Sequence, residues 1–194
     1  GTVLFLGGWG VLRLARHLGL ATSGALVAAV VYQLSPYTLP YVSRTSLMLL
    51  PWASLGWLTL LTIRSFRQGG WRYPALFALV LATVAGANAT ALLMIVPGPM
   101  VWVLIEWSGR RLDTRRVFAA TGRIAAIGTA VSLWWVTMLS VQGTNGADVL
   151  AYSETLDAVS LTSSSVEVMR SLGYWLFYIR DPYAAATSAS TPYQ

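Results

Sequence analysis

Cysteine is absent from this 194-residue chain, and histidine occurs once, as His17. The absence of cysteine excludes a disulfide framework and a thiolate metal site, and a single imidazole excludes a zinc site built from several histidines. Lysine is also absent, because all thirteen basic residues are arginine, against seven acids. Charged residues make up only 10% of the chain, whereas about a quarter is typical of soluble domains.

Apolar residues are in excess instead, at 56% of the chain, and they occur in long runs. Such runs favour membrane spans over a water-soluble core, because a bilayer core of about 30 Å needs about 20 helical residues. The sequence predicts six spans, at 2–12, 20–36, 45–63, 73–87, 90–107 and 117–141.

The fourth and fifth predicted spans are separated by a turn. The uncharged stretch from Tyr73 to Trp107 is too long for one crossing, and the sequence "GANAT" at 86–90 is typical of a turn. The sequence "PGP" at 97–99 predicts a kink in the fifth span.

The arginines predict the orientation of these spans. They cluster after the first span (Arg13, Arg16), after the third (64–72) and after the fifth (110–123), whereas the other loops before residue 142 hold only Arg44. The positive-inside rule then places the clusters in the cytoplasm and 37–44, 86–90 and 142–194 outside the cell membrane. The net charge of +6 is thus a sign of topology, and nucleic-acid binding is not expected.

The predicted fold class is all-α, a polytopic transmembrane bundle of about six spans with an outer interfacial helix. Residues 1–141 form the transmembrane region, as part of a larger membrane domain, and residues 142–194 form an extracytoplasmic loop. Within that loop Ser164 and Glu167 form a capping box, which predicts an amphipathic helix at about 165–179 in the outer interface. The chain begins with Gly1 and ends in a polar tail, and we expect it to be a piece of a longer membrane protein.

The stretch "YQLSPYTLPYVSR", at 32–44, forms a proline- and tyrosine-rich corner between two apolar runs. Pro36 and Pro40 end the second span, because proline cannot continue a helix. Arg44 then stands at the outer mouth of the third span. Its planar guanidinium suits the oxygens of a phosphate or pyrophosphate, and the alternative is an arginine that reaches to lipid headgroups.

Further candidates lie in the other outer segments. Asn88 either forms the turn or points its amide into a polar cavity. The aromatic residues near Trp175, followed by Arg180 and Asp181, either bind a sugar ring and a phosphate or form a membrane anchor with an Arg–Asp pair. At the cytoplasmic end, Glu106 and Asp113 are predicted to be ion-paired with the nearby arginines.

Three stretches, "YQLSPYTLPYVSRTSLMLLPWASLGWL", "GANATALLMIVPGP" and "SLGYWLFYIRDPY", resemble the membrane domain of mycobacterial and other actinobacterial α-(1→3)-arabinofuranosyltransferases of the AftD type. These are GT-C class glycosyltransferases. The resemblance implies a transferase that uses decaprenyl-phosphoryl arabinofuranose, a polyprenyl-phosphate sugar, as donor. Its acceptor is the arabinan of arabinogalactan and lipoarabinomannan, outside the cytoplasmic membrane.

The resemblance also limits the site. The catalytic acid of GT-C enzymes usually lies in the first outer loop, which we expect upstream of Gly1, so the catalytic residue is unknown here. The departing polyprenyl phosphate needs positive charge or a metal. We expect Arg44 and Arg180 to supply that charge, with Asn88, Trp175 and Asp181 in support. The sequence identifies no definite cofactor, and a divalent cation is the alternative to the arginines.

Two other functions are consistent with the sequence. One is a transporter or flippase fragment, since helices broken by glycine and proline can mark transport sites. Against it, the charges cluster at the span ends, whereas coupled transporters usually carry ionisable groups deep in the membrane. The other is a structural membrane segment without chemistry.

Overall fold

Helices make up the regular structure in the part of the chain that the structure describes. This computed structural model describes residues 1–35, 38, 49–85, 95–146 and 165–169, and no strand occurs among them. The prediction of an all-α fold is confirmed. In chain order the helices are α1 Thr2–His17, α2 Thr22–Gln33, α3 Leu49–Gln68, α4 Arg72–Val84, α5 Pro97–Ser108, α6 Thr114–Asn145 and α7 Ser165–Met169.

The chain divides into two compact units, Gly1–Val141 and Gln142–Gln194. The first unit contains α1 to α5 and most of α6. The second contains α7, which starts where the interfacial helix is predicted to start. The rest of the predicted 165–179 helix lies outside the described residues.

The six predicted spans each overlap one of the helices α1 to α6, but the helices differ in length. In the described ranges, α6 alone is both long enough and apolar enough to cross a membrane, while α2 and α4 are apolar and shorter. Helix α2 has 12 residues and α4 has 13. Each is therefore about 20 Å long, which is less than the thickness of a bilayer core, about 30 Å. The helical architecture is therefore established, and the six-span topology stays a prediction.

The "PGP" sequence lies at the start of α5. The backbone bends at Val96, and Pro97 is the first residue of α5. Proline has no backbone N–H, but at the first position of a helix that N–H would have no partner within the helix. Ile95, just before the bend, is helical, so an interruption of the helix at this sequence agrees with the predicted kink of the fifth span, of which residues 90–94 lie outside the described part of the chain. The predicted turn at 86–90 lies outside the described residues.

Helix α3 is the centre of the first unit. It packs against α1, α4 and α5, and α1 also packs against α2. Twelve of the twenty residues of α3 are buried. Its buried hydroxyls on Ser54, Thr62 and Ser65 donate to backbone carbonyls three or four residues earlier, at 2.6, 2.8 and 2.7 Å. These bonds satisfy polar groups that would otherwise be costly in an apolar interior.

Helices α1 and α3 approach closely where both carry glycine. A Cβ atom on Gly56 would lie 2.6 Å from the carbonyl carbon of Gly10, so the two backbones are in contact. Beside this point the indole N–H of Trp57 donates to the carbonyl of Leu6 at 2.9 Å. Small residues allow this kind of contact, which is typical of helix pairs in membranes.

Large apolar side chains are exposed on the helices of the first unit. On α6, the exposed fractions of Phe118, Leu133 and Trp134 are 69%, 56% and 54%. Soluble monomers rarely expose contiguous apolar surface on this scale. Such a surface is typical of a helix that faces lipid or further protein.

Candidate functional site

The five residues predicted to bind the substrate lie outside the described part of the chain. The structure therefore neither brings them together nor separates them, and their roles stay predictions. They are Arg44, Asn88, Trp175, Arg180 and Asp181.

The corner predicted at 32–44 is described at its beginning, where it is held against α3. The ring of Tyr32 stacks on Trp52 with centroids 4.4 Å apart and planes 4° apart, and its hydroxyl donates to the Trp52 carbonyl at 2.7 Å. The buried Thr38 hydroxyl donates to the carbonyls of Ser35 at 2.7 Å and Gln33 at 3.1 Å. These contacts hold the end of α2 beside the start of α3.

An apolar cavity lies next to this corner, between α1, α3 and α4. Its volume is about 240 Å³. Its residues on α3 include Leu50 and Ala53, close to Trp52, and those on α4 belong to its last two turns. The lining residues are Val3, Leu6, Leu50, Ala53, Ser54, Trp57, Val80, Thr83 and Val84.

The opposite end of α3 carries charge. Glu106 on α5 is only 8% exposed, and its carboxylate oxygens lie 3.5 Å from Nη2 of Arg67 and 3.2 Å from Nη1 of Arg111. Arg67 belongs to α3 and Arg111 follows α5, so this ion pair joins two of the arginine clusters. The prediction that Glu106 is ion-paired is confirmed.

The last turn of α1, which carries Arg16 and His17, lies at this same end. His17, the last residue of α1 and beyond the first predicted span, is partly buried and lies near Arg64 and Arg67. Burial disfavours the charged imidazolium, and these two arginines repel it, so the pKa of His17 lies below its usual value. His17 therefore lies at the same end of the unit as Arg67 and Arg111, about 22 Å along α3 from Trp52.

A basic cleft opens between the end of α3 and the start of α6. Its volume is about 430 Å³. Four arginines and one aspartate face it, and Asp113, predicted to be ion-paired, is the aspartate. The lining residues are Ser65, Phe66, Arg67, Gln68, Gly69, Gly70, Asp113, Arg115, Arg116, Ala119, Ala120 and Arg123. The sequence identified these arginines as topology residues only. The available signal was their helical spacing, since Arg116, Ala119, Ala120 and Arg123 recur at intervals of three and four residues and so share one face of α6.

An apolar groove adjoins the cleft. It consists of two neighbouring cavities of about 410 and 280 Å³ between α3, α4, α5 and α6. The two cavities share Phe77, Val96, Pro99 and Ile124. The smaller cavity shares Phe66 with the basic cleft. Hydrophobic runs alone did not indicate this groove, because it requires four helices to pack.

Metal ligands do not cluster in the described ranges. No group of three or more histidine, cysteine, aspartate or glutamate side chains is placed there to hold an ion. The divalent cation considered for the departing phosphate therefore has no ligand set in this part of the chain.

Comparison with known proteins identifies relatives of the whole chain. The family described as "Alpha-(1->3)-arabinofuranosyltransferase, N-terminal GT-C domain" matches residues 1–193. The chain is 30% identical over 182 residues to an alpha-(1->3)-arabinofuranosyltransferase of Mycobacterium tuberculosis, and 28% identical over 192 residues to the protein of that name from Mycolicibacterium smegmatis. These alignments cover 91% and 97% of the chain but 13% of each relative. No solved structure matches the chain significantly.

Proposed function

Because this chain belongs to the α-(1→3)-arabinofuranosyltransferase family and matches its N-terminal GT-C domain, we propose that it is part of a membrane glycosyltransferase. The enzyme moves arabinofuranose from a polyprenyl-phosphate donor, decaprenyl-phosphoryl arabinose, onto the arabinan of arabinogalactan and lipoarabinomannan. The family match over residues 1–193 carries this proposal.

In this proposal the first unit is embedded in the cell membrane as a multi-pass bundle. Support comes from the length and apolar character of α6 and from the exposed apolar side chains around it. The meeting of two arginine clusters at Glu106, at one end of α3, supports a cytoplasmic location for that end. The Tyr32–Trp52 corner and residues 142–194 then belong to the extracytoplasmic face.

The donor lipid binds near the corner. The apolar cavity between α1, α3 and α4 lies at the outer end of α3 and has the chemistry that a polyprenyl chain requires. Arg44 and Arg180 hold the donor phosphate at interface depth, because the planar guanidinium group can donate two hydrogen bonds to two oxygens of one phosphate. Trp175, beside an acid and an arginine, is the candidate to bind the sugar ring, and Asn88 and Asp181 are supporting candidates.

The reaction needs a base and a stabilised leaving group. A carboxylate, which we expect in the first outer loop of the GT-C fold, removes the proton of the acceptor hydroxyl. The resulting oxygen attacks the anomeric carbon of arabinofuranose, and the bond to the polyprenyl phosphate breaks. The arginines stabilise the negative charge on the departing phosphate.

An assay with the full-length protein tests this function. The purified protein is incubated with polyprenyl-phosphoryl arabinofuranose and an arabinan acceptor, and product formation is measured. We expect Arg44→Ala and Arg180→Ala each to lower kcat about 100-fold, as for other residues that stabilise transition-state charge. Arg13→Ala, which removes an arginine from the opposite end of the unit, is the matched control and should keep wild-type activity.

The outcomes separate the parts of the proposal. Wild-type rates for Arg44→Ala and Arg180→Ala would remove the phosphate role of these arginines and leave the transferase assignment intact. Absence of any arabinosyl transfer by the wild-type protein would contradict the function itself. If the protein instead moved the lipid-linked sugar between leaflets of a vesicle without transferring it, a flippase would be the better assignment.

A further inference from the structure

We propose that the basic cleft and the apolar groove together bind one anionic phospholipid, with its phosphate in the cleft and an acyl chain in the groove. The cleft lies at the opposite end of α3 from the predicted donor site, so this lipid is not the sugar donor. The inference rests on the membrane embedding proposed above and is independent of arabinosyl transfer.

The charge of the cleft favours binding of an anion. Arg115, Arg116 and Arg123 on α6 and Arg67 on α3 face it, against the single carboxylate of Asp113. The cleft also lies at the start of α6, a helix with no acidic side chain in its first turn. The free amides of a helix N-terminus favour negative charge. Arg67 shares its charge with Glu106, which leaves the three arginines of α6 to bind the ligand.

Two of the arginines are positioned by neighbouring aromatic rings. The guanidinium carbon of Arg67 lies 5.5 Å from the ring centroid of Trp102, and that of Arg123 lies 5.8 Å from that of Trp71. These cation–π contacts limit the freedom of both side chains. Arg115 and Arg116 are exposed and remain available to close on a headgroup.

The apolar surface and the length of the groove suit a hydrocarbon chain. Nearly all of its surface is apolar, and its lining residues on α6 run from Thr121 to Val136, which is about 22 Å at 1.5 Å per residue. This exceeds the depth of one leaflet, about 15 Å. A chain that starts at the cleft can therefore follow the groove past the middle of the bilayer.

Continuity of cleft and groove identifies the occupant. Phe66 lines both the basic cleft and the nearer cavity of the groove, so a single molecule can fill both. A soluble phosphate would leave the groove empty, and a neutral lipid would leave the arginines without a partner. A phospholipid with a negatively charged headgroup satisfies both, and basic pockets between membrane helices are known to bind such headgroups.

The test measures lipid binding by the full-length protein in detergent. Binding of phosphatidylglycerol, phosphatidylcholine and inorganic phosphate is followed by native mass spectrometry and by the shift in unfolding temperature. We expect saturable binding of phosphatidylglycerol, with a much smaller effect from phosphatidylcholine and from inorganic phosphate. Replacing Arg115 and Arg116 by glutamine should weaken phosphatidylglycerol binding about 10- to 30-fold, at about 1 kcal/mol for each arginine. Arg13→Gln is the matched control outside the cleft.

Two neighbouring alanines on α6 test the groove. Ala125 lines it, whereas Ala126 is exposed and does not line it. We expect Ala125→Phe to fill the groove and weaken phosphatidylglycerol binding, while Ala126→Phe leaves it within about twofold of wild type.

Three results would overturn the inference. The first is equal stabilisation by inorganic phosphate and phosphatidylglycerol, with no effect of Ala125→Phe, which would indicate a site for free anions. The second is equal binding of both lipids. The third is absence of saturable binding, as expected if another helix of the full-length protein fills the groove. Arabinosyl transfer measured on the same samples reports on the proposed function separately.

Discussion

Arg110 has a backbone conformation that ordinary side chains seldom adopt. Its φ is 56°, and it follows the end of α5 in a Schellman turn, where the amides of Arg110 and Arg111 donate to the carbonyls of Trp107 and Glu106 at 3.0 and 2.9 Å. The corresponding turns after α1 and α3 have glycine in this conformation, at Gly19 and Gly69. A Cβ atom in this conformation costs about 1 kcal/mol.

We therefore predict that Arg110→Gly stabilises the protein by up to about 1 kcal/mol, measured as a higher unfolding temperature. The reverse change at the matched position, Gly19→Ala, should lower the unfolding temperature. A lower unfolding temperature for Arg110→Gly would mean that the arginine side chain contributes more than its backbone costs.

His17 makes the stability depend on pH. Its pKa in the folded protein is lowered by burial and by Arg64 and Arg67, so the unfolded chain takes up a proton first as the pH falls. Stability is therefore full above the normal pKa of about 6.5 and decreases as the pH falls from there to the lowered pKa of the folded state. Unfolding temperatures measured between about pH 8 and pH 5 should fall less in His17→Gln than in wild type. Parallel curves for the two proteins would contradict the role of His17.

At the scale of elements, contact between α1 and α3 depends on glycine. We predict that Gly56→Ala destabilises the protein by about 1–3 kcal/mol, because the new methyl group would overlap the backbone at Gly10 and Val11. Gly24→Ala is the control, since a Cβ atom there meets nothing within 4 Å and alanine favours a helix. Thermal unfolding should therefore distinguish the two substitutions by sign. Equal effects would show that the close contact is not what stabilises this pair.

At the scale of the whole molecule, the arginine clusters predict which face of the membrane each end occupies. The chain contains no cysteine, so single cysteines can be introduced into it on a background free of others. We predict that a membrane-impermeant maleimide labels Ser165→Cys in intact cells, and labels Gln68→Cys only after the membrane is permeabilised. Both positions are exposed in the structure. Labelling of residue 68 in intact cells would reverse the proposed orientation.

Helix positions were largely predictable, because long apolar runs and glycine or proline breaks are local signals. The ends of α2 and α3, by contrast, were predicted only to within a few residues, since span length was inferred from membrane thickness and not from helix-ending contacts. The ion pair of Glu106 shows the same limit. Arg111 is five residues away in sequence and was an obvious partner, whereas Arg67 comes from α3 and becomes a partner only after the helices pack.

The sequence by itself determined the helical class, the arginine clusters after alternate predicted spans and the family, because each depends on residue type and order along the chain. Tertiary structure alone decided that two of those clusters meet at Glu106, that glycines bring α1 onto α3, and that a basic cleft continues into an apolar groove. These features join residues that are about 40 to 60 positions apart in the sequence. Only packing, which depends on side-chain shape in three dimensions, brings such residues into contact.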